Sequence, residues 1–365
     1  MGSSHSRAAV TEVTLVAIVV AVIAATLGVV PSARVSALPT IDSPSATALG
    51  SVATDRLWGM TRTNVTQTVA YCGNGSIDGA SSIVTSVVIM VHGDSRNSCD
   101  YARYTLLSAK AAGVGGSTLV VAPRFITKDD AAASNDSAMY WSDGGWKQGD
   151  ASLTSPYPRA WTASSYDVID AMIQHITEPG LFPSLARVVV AGHSAGGQFT
   201  NRYAATTHLS AAATPGVARS YVVANPSSYL YLTSLRPVGG ALRALTSSEV
   251  SKCSSYDRYK YGLQRLNPYV AATTTSTIRS QYATSRVTYL LGGADTLQDS
   301  ALDTSCGARW EGLNRLVRGQ NYFAALGPVL GTGVYNSQRQ VVVPGVGHDG
   351  KTMFNSSQGQ SALFN

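Results

Sequence analysis

The chain alternates between two kinds of stretch. Short, unbroken runs of β-branched and aliphatic residues recur at 86–91 (SVVIMV), 118–122 (TLVVA), 187–191 (RVVVA), 220–224 (SYVVA), 287–291 (VTYLL) and 340–343 (QVVV). Runs of this length without polar alternation predict strands buried on both faces. Between them, apolar residues recur at helical spacing over 100–112, 164–177, from 195 onward, and 309–326. Pro123 closes the second run and Pro179-Gly180 follows the second helical segment, as expected of residues that interrupt regular structure. Strands alternating with helices predict an α/β fold, a mainly parallel twisted sheet with helices on both faces. Sites in such sheets form beyond the carboxyl ends of the strands, so the residues that follow each run carry the functional question.

One apolar run stands apart. Residues 13–30 read VTLVAIVVAVIAATLGVV, behind Arg7 and ahead of Val35-Ser36-Ala37. That order predicts a secretory signal over residues 1–37, cleaved before Leu38. The run is also close to the ~20 residues that span a bilayer, so a retained membrane anchor is the alternative, and either exports the rest. Met1-Gly2 with Ser6 fits a myristoylation pattern, but the export segment directly behind it argues against that use. Residues 38–60 are expected to be a linker or arm, and 61–365 one catalytic domain.

Composition narrows the classes. Charged residues are 13% of the 365 and hydrophobic ones 44%, which excludes a coiled coil or a disordered chain. The net charge of +6 is not gathered into basic runs; it gives no case for nucleic-acid binding and only a mild bias toward anionic partners. Four cysteines lie beyond the export segment, with no Cys-x-x-Cys pair, so a zinc or thioredoxin-type site is not indicated. Three connectivities are possible; pairing of near neighbours, Cys72 with Cys99 and Cys253 with Cys306, is expected. Glycosylation sequons start at Asn64, Asn74, Asn135 and Asn355.

Directly after the run 187–191 comes Gly192-His193-Ser194-Ala195-Gly196. G-x-S-x-G between a strand and a helix makes a sharp turn that exposes the serine hydroxyl at the end of the sheet. A nucleophilic serine needs a base, and the base needs an orienting carboxylate. Asp295 follows the run 287–291 through Gly292-Gly293-Ala294, and His348 follows the run 340–343 in Gly345-Val346-Gly347-His348. The order Ser, Asp, His suits the elbow, and His348 is the one histidine C-terminal to Asp295; Asp299 and Asp303 are alternatives for the acid. An oxyanion hole would take the backbone N–H of Ala195 and one from the loop after 86–91, with Asp94 as donor and Ser95 next.

The segments HG at 92–93, GHSAGG at 192–197, GGAD at 292–295 and GVGH at 345–348 resemble the α/β-hydrolase superfamily over roughly residues 80–355. The HGDSRN loop followed by Tyr101 or Tyr104 is similar to that of secreted polyhydroxyalkanoate depolymerases and feruloyl-type esterases, although Asp94 stands where the depolymerases often carry cysteine. The resemblance implies hydrolysis through an acyl-enzyme, with no cofactor and no metal; the depolymerases' polymer substrate is not carried over, and the expected substrate is a carboxylic ester, small or polymeric. A serine peptidase or amidase on the same fold, or a non-catalytic binding module at the cell surface, are the alternatives. Tyr140, Trp141, Trp146 and Trp161 are expected either as an aromatic platform near the site or as packing under a long loop. The Tyr-rich segment 256–269 is expected either as a lid or as a surface helix; Trp310 and Glu311 are read as structural.

Overall fold

The computed structural model describes residues 49–365. The expected export segment and the first part of the expected arm lie outside them. Ten strands are present among the described residues: β1 (Ala53–Arg62), β2 (Val65–Gly73), β3 (Ser86–Val91), β4 (Thr118–Pro123), β5 (Arg187–His193), β6 (Ala218–Ala224), β7 (Arg236–Val238), β8 (Ala241–Arg243), β9 (Val287–Gly292) and β10 (Gln338–Val343). Eight form one sheet in the order β1-β2-β4-β3-β5-β6-β9-β10, and β7 pairs with β8. The strands from β3 onward in that sheet run parallel, whereas β1 and β2 are antiparallel. The helices are α1 (Ser98–Ala111), α2 (Ser165–Ile176), α3 (Ala195–Thr206), α4 (Ser247–Lys252), α5 (Pro268–Ala271), α6 (Thr275–Thr284), α7 (Cys306–Arg309), α8 (Arg315–Leu330), α9 (Gly350–Asn355) and α10 (Ser357–Phe364).

The unbroken apolar runs are explained by two cores. In β3, Val87, Ile89 and Val91 face a layer containing Ile169, Phe199, Tyr282 and Tyr322 of α2, α3, α6 and α8. Val88 and Met90 face the opposite layer, with Leu106, Phe354 and Leu363 of α1, α9 and α10. Successive side chains alternate between faces, and with both faces covered every position must be apolar. Each such side chain stabilises the fold by roughly 1.5–3 kcal/mol relative to exposure.

The structure differs from the sequence expectation in two places. The boundary placed at residue 60 falls inside β1, so the arm expected over 38–60 contributes sheet from Ala53. Trp58 and Met60 are buried while Leu57 and Thr61 face outward; an edge strand with one wet face carries polar residues and leaves no apolar run. Thr63 and Asn64, both at positive φ, form the two-residue turn that joins β1 to β2, the mirror-image turn suited to sheet twist. The second difference is in the helix expected over 309–326. It is broken: α7 ends at Arg309, Gly312 adopts φ 148°, and the Asn314 side chain accepts from Val317 N–H to start α8. That break places Arg315 at the start of α8, buried beside Asp295.

Both disulfides follow the near-neighbour pairing, Cys72 with Cys99 and Cys253 with Cys306. The first joins β2 to the opening turn of α1. Of the sequons, Asn74 is buried, donating to Thr118 O and accepting from Val120 N–H; its amide belongs to the fold and is not free to carry a glycan. Among the described residues no helix is long and apolar enough to cross a membrane.

Candidate active site

The elbow is set by close backbone approach. Ser194 follows β5 directly and adopts φ 59° and ψ −118°, a region costly for a residue with a Cβ. Its N–H donates to Ala224 O at the end of β6. A Cβ on Gly196 would lie 2.2 Å from Val91 O, and one on Gly192 would lie 2.3 Å from Gly196 O. Neither position can carry a side chain unless backbone moves, which is why glycines flank the serine.

Three loops then converge. His348 Nε2 lies 2.9 Å from Ser194 Oγ, and His348 Nδ1 lies 2.8 Å from Asp295 Oδ2. Asp295 is buried, while His348 keeps a fifth of its side chain accessible. The carboxylate therefore accepts Nδ1–H and leaves Nε2 to accept from the serine hydroxyl. Asp299 and Asp303, the alternatives for the acid, are engaged elsewhere. Asp299 takes a two-pronged contact from Arg315, at 3.2 and 2.9 Å, and that hydrogen bonding holds its carboxyl below the usual range. Asp303 is partly buried, which opposes ionisation, but Lys260 at 3.1 Å and hydroxyl donors outweigh this and hold it ionised.

Several positioning groups are not apparent in the sequence. Asn225, buried at the end of β6, accepts from Gly292 N–H (2.7 Å) and donates to Gly347 O (3.2 Å). It thereby ties the acid loop to the histidine loop. Arg315 stands behind the acid and is itself buried. His193, inside the elbow, lies with its ring 4.6 Å from that of His348 and accepts from or donates to Tyr101 Oη at 3.1 Å. Burial, reinforced by His348 and Arg315, pushes its pKa well below the ordinary value, so the neighbouring ring is neutral.

The loop after β3 is held as firmly. His92 is fully buried, with Nδ1 2.8 Å from Gly93 O and Nε2 accepting from Phe125 N–H at 3.0 Å. Burial above all lowers its pKa to about 4, so a neutral imidazole buckles this loop to the end of β4. Lys147 pairs with the Asp94 carboxylate, and the Cys72–Cys99 bridge lies just beyond. Among the described residues, neither the Asp94 nor the Ala195 amide is taken up by another backbone group.

The aromatic residues of 140–161 do not form a platform. Tyr140, Trp141 and Trp146 are fully buried; Trp146 stacks on Phe125 at 5.9 Å and touches His92 at 4.6 Å. Trp161 lies on the outer side, donating to Val65 O under the Arg62 guanidinium. Of the segment 256–269, only Pro268 and Tyr269 are helical, opening α5; residues 256–267 form neither a helix nor a free lid. Tyr259 Oη donates to Gln148 O, and Arg202 and Arg236 donate to Lys260 O and Tyr261 O, which straps the segment against α3. A concavity of about 790 Å³ opens at the opposite end of the sheet, where Arg187, Arg219, Arg286 and Arg339 sit near the strand starts. Its lining holds no histidine or carboxylate side chain, so the nucleophile–base geometry belongs to the Ser194 end.

No family model matches the sequence, and no curated protein does. Solved structures match. Poly(aspartic acid) hydrolase-1 from Sphingomonas sp. KT-1 superposes with a TM-score of 0.57 at 20% identity, over 86% of this chain and 99% of that one. A poly(3-hydroxybutyrate) depolymerase from Bordetella parapertussis superposes with a TM-score of 0.56 at 20% identity, over 85% of this chain and 95% of that one. With the sheet order and the elbow, these likenesses establish an α/β-hydrolase fold.

Proposed function

We propose that the protein is an exported serine hydrolase of carboxylic esters. The observation that carries this reading is the pair of contacts on His348, 2.9 Å to Ser194 Oγ and 2.8 Å to Asp295 Oδ2. His348 takes the Ser194 proton as Oγ attacks the ester carbonyl, and Asp295 holds the imidazole tautomer and the imidazolium that forms. The backbone N–H groups of Ala195 and Asp94 receive the charge on the carbonyl oxygen. His348 then protonates the leaving alcohol, and water hydrolyses the acyl-enzyme by the same route in reverse. The two disulfides support export, because such bonds persist in oxidising compartments. Both structural neighbours are named for the hydrolysis of polymers, which brings polymeric esters into the substrate range, although at this identity they lend the fold and not the bond cleaved.

A fluorophosphonate probe applied to the full chain tests the nucleophile. Labelling is expected for the wild type and for Ser95→Ala, and its loss in Ser194→Ala; an unlabelled, folded wild type overturns the reading in favour of a non-catalytic module. Turnover of p-nitrophenyl acyl esters against the matching aminoacyl amides separates an esterase from a peptidase.

A further inference from the structure

The wall beside Ser194 carries more positive charge than its own acids offset. One turn beyond the serine in α3, Gln198 N–H donates to Ser194 O, and Gln198 Oε1 accepts from both Nη atoms of Arg202 at 3.4 Å and from Ser228 Oγ at 3.0 Å. Arg202 is fully buried. Its remaining donors go to Lys147 O (3.3 Å), Lys260 O (3.3 Å) and Ser228 Oγ (2.9 Å). All of these acceptors are neutral, and among the described residues no carboxylate lies within ion-pair distance of Arg202. The guanidinium is hydrogen-bonded at all three nitrogens, but its charge has no counter-ion within ion-pair distance, an arrangement that a low-dielectric interior disfavours.

The same guanidinium fixes the backbone of two lysines whose side chains stay partly accessible. Lys147 Nζ meets Asp94, the residue proposed as an oxyanion donor; the lysine side chain is 19% accessible and the aspartate 66%. Lys260 Nζ lies 3.1 Å from Asp303, with 26% of its side chain accessible. Asp303 is in turn held by Tyr261 Oη at 2.8 Å and approached by Ser228 Oγ at 3.4 Å. Lys147 and Lys260 each hold one carboxylate, Arg202 behind them holds none, and the Asp94 carboxylate is exposed enough to swing into water. Burial, followed by the like charge of Arg202, lowers the pKa of Lys260, and Lys147 adds to this. The cations therefore oppose one another, as expected of a site short of negative charge.

We infer that this wall takes a carboxylate on the substrate, with Lys147 and Lys260 gripping it and Arg202 supplying the field behind them. The inference rests on Ser194 being the nucleophile, because Lys147 meets the substrate through the Asp94 loop assigned to the same site. It names a substrate class: esters whose acyl part carries a free carboxylate, as one unit of a longer acidic chain would. Lysine ammonium is suited to such a grip, a point charge on a flexible stem that does not demand one geometry.

The test compares mono-p-nitrophenyl adipate with p-nitrophenyl hexanoate, of equal acyl length and differing in one terminal carboxylate, on the full chain. The wild type is expected to favour the adipate in kcat/KM by tenfold or more at low ionic strength. That ratio should fall steeply with added salt, as screening weakens a partly exposed pair. It should drop toward one in Lys147→Gln and Lys260→Gln, read in protein that still labels with fluorophosphonate, and stay high in Lys128→Gln, a lysine remote in role that pairs with Asp129 on the surface. A wild-type ratio near one, or a ratio indifferent to salt and to both lysine substitutions, overturns the inference while leaving the esterase reading standing. If the wild type neither labels nor hydrolyses either ester, the esterase reading fails and the inference falls with it.

Discussion

Arg315 Nη1 stands 3.5 Å from Asp295 Oδ1, the carboxylate oxygen that His348 does not use. Both side chains are buried, and the same guanidinium grips Asp299 and reaches Ser227 Oγ at 3.1 Å. Asp295 is therefore held on two sides, by an imidazole in front and a guanidinium behind. Arg315→Gln leaves two carboxylates without their cation and is expected to destabilise the protein by ~3–5 kcal/mol, as for breaking a buried pair. Arg315→Lys keeps the charge but loses the planar fork. Its expected signature is a kcat lowered roughly tenfold with KM unchanged, because Arg315 acts through Asp295 and does not reach the substrate. Thermal unfolding and ester kinetics on the two variants check this, and a lysine variant whose KM moved while kcat held would rule out a positioning role.

The glycines around Ser194 and His348 have unequal tolerance. Gly196→Ala places a methyl 2.2 Å from Val91 O, against backbone that cannot give way, whereas at Gly347 the nearest atom to a new Cβ is Ala294 O at 3.8 Å. Gly196→Ala is expected to lose ~3 kcal/mol or more, the scale of overpacking in a rigid core, and to lose fluorophosphonate labelling with it. Gly347→Ala, adjacent to the histidine, is expected to stay within about 0.5 kcal/mol of the wild type, as is usual away from such features. Urea midpoints for the pair decide the point.

The two disulfides should separate stability from activity. Their sequence separations are 27 and 53 residues, for which loop-closure entropy gives stabilisation of ~3–4 kcal/mol each. Cys72→Ala/Cys99→Ala is expected to lower both the unfolding midpoint and kcat, since the bridge ends within a few residues of the Asp94 loop. Cys253→Ala/Cys306→Ala should lower the midpoint by a similar amount with a smaller effect on kcat. Equal kinetic effects in the two variants would remove the case for a special hold on the Asp94 loop.

The contrast between what the sequence reveals and what it hides has a physical cause. The interior strands are legible because burial on both faces forbids polar residues, and the meeting of Ser194, Asp295 and His348 could be anticipated because each follows such a strand. β1 escapes notice because half of it faces water. Asn225 and Arg315 escape because their chemistry exists only once distant segments meet. The partners of Asn225, Gly292 and Gly347, are 67 and 122 residues away along the chain. Arg202 reads locally as one more polar position on a helix; its burial and its lack of an acid emerge only when the 256–267 segment is laid against α3. The buried tryptophans fit both of their sequence readings, and only the stack on Phe125 decides between them.

His92 gives a pH dependence whose sign can be worked out. Its pKa falls from 6.5 to about 4 in the folded protein, mainly through burial, while an unfolded chain titrates near the ordinary value. Between these values the unfolded state binds the proton and the folded state does not. The stability contributed by the neutral ring is thus complete above pH 6.5 and is lost as the pH falls to about 4. A gap of this size is worth roughly 3 kcal/mol. His193 adds in the same direction, while the buried Glu311 carboxyl, pushed up to about 8 by burial, acts in the opposite one, so the wild-type profile mixes these effects. The clean quantity is the difference between the wild type and His92→Gln, whose amide oxygen can still accept from Phe125 N–H but which has no proton to gain. At pH 7.5 the variant is expected to be less stable by ~1–2 kcal/mol for the lost contact to Gly93 O. By pH 4.5 that gap should close and reverse. Urea unfolding at the two pH values measures it directly, and a gap that stays constant would mean that the His92 pKa is the same in the folded and unfolded chain, so that burial does not hold the ring neutral as a buckle on the loop that carries Asp94.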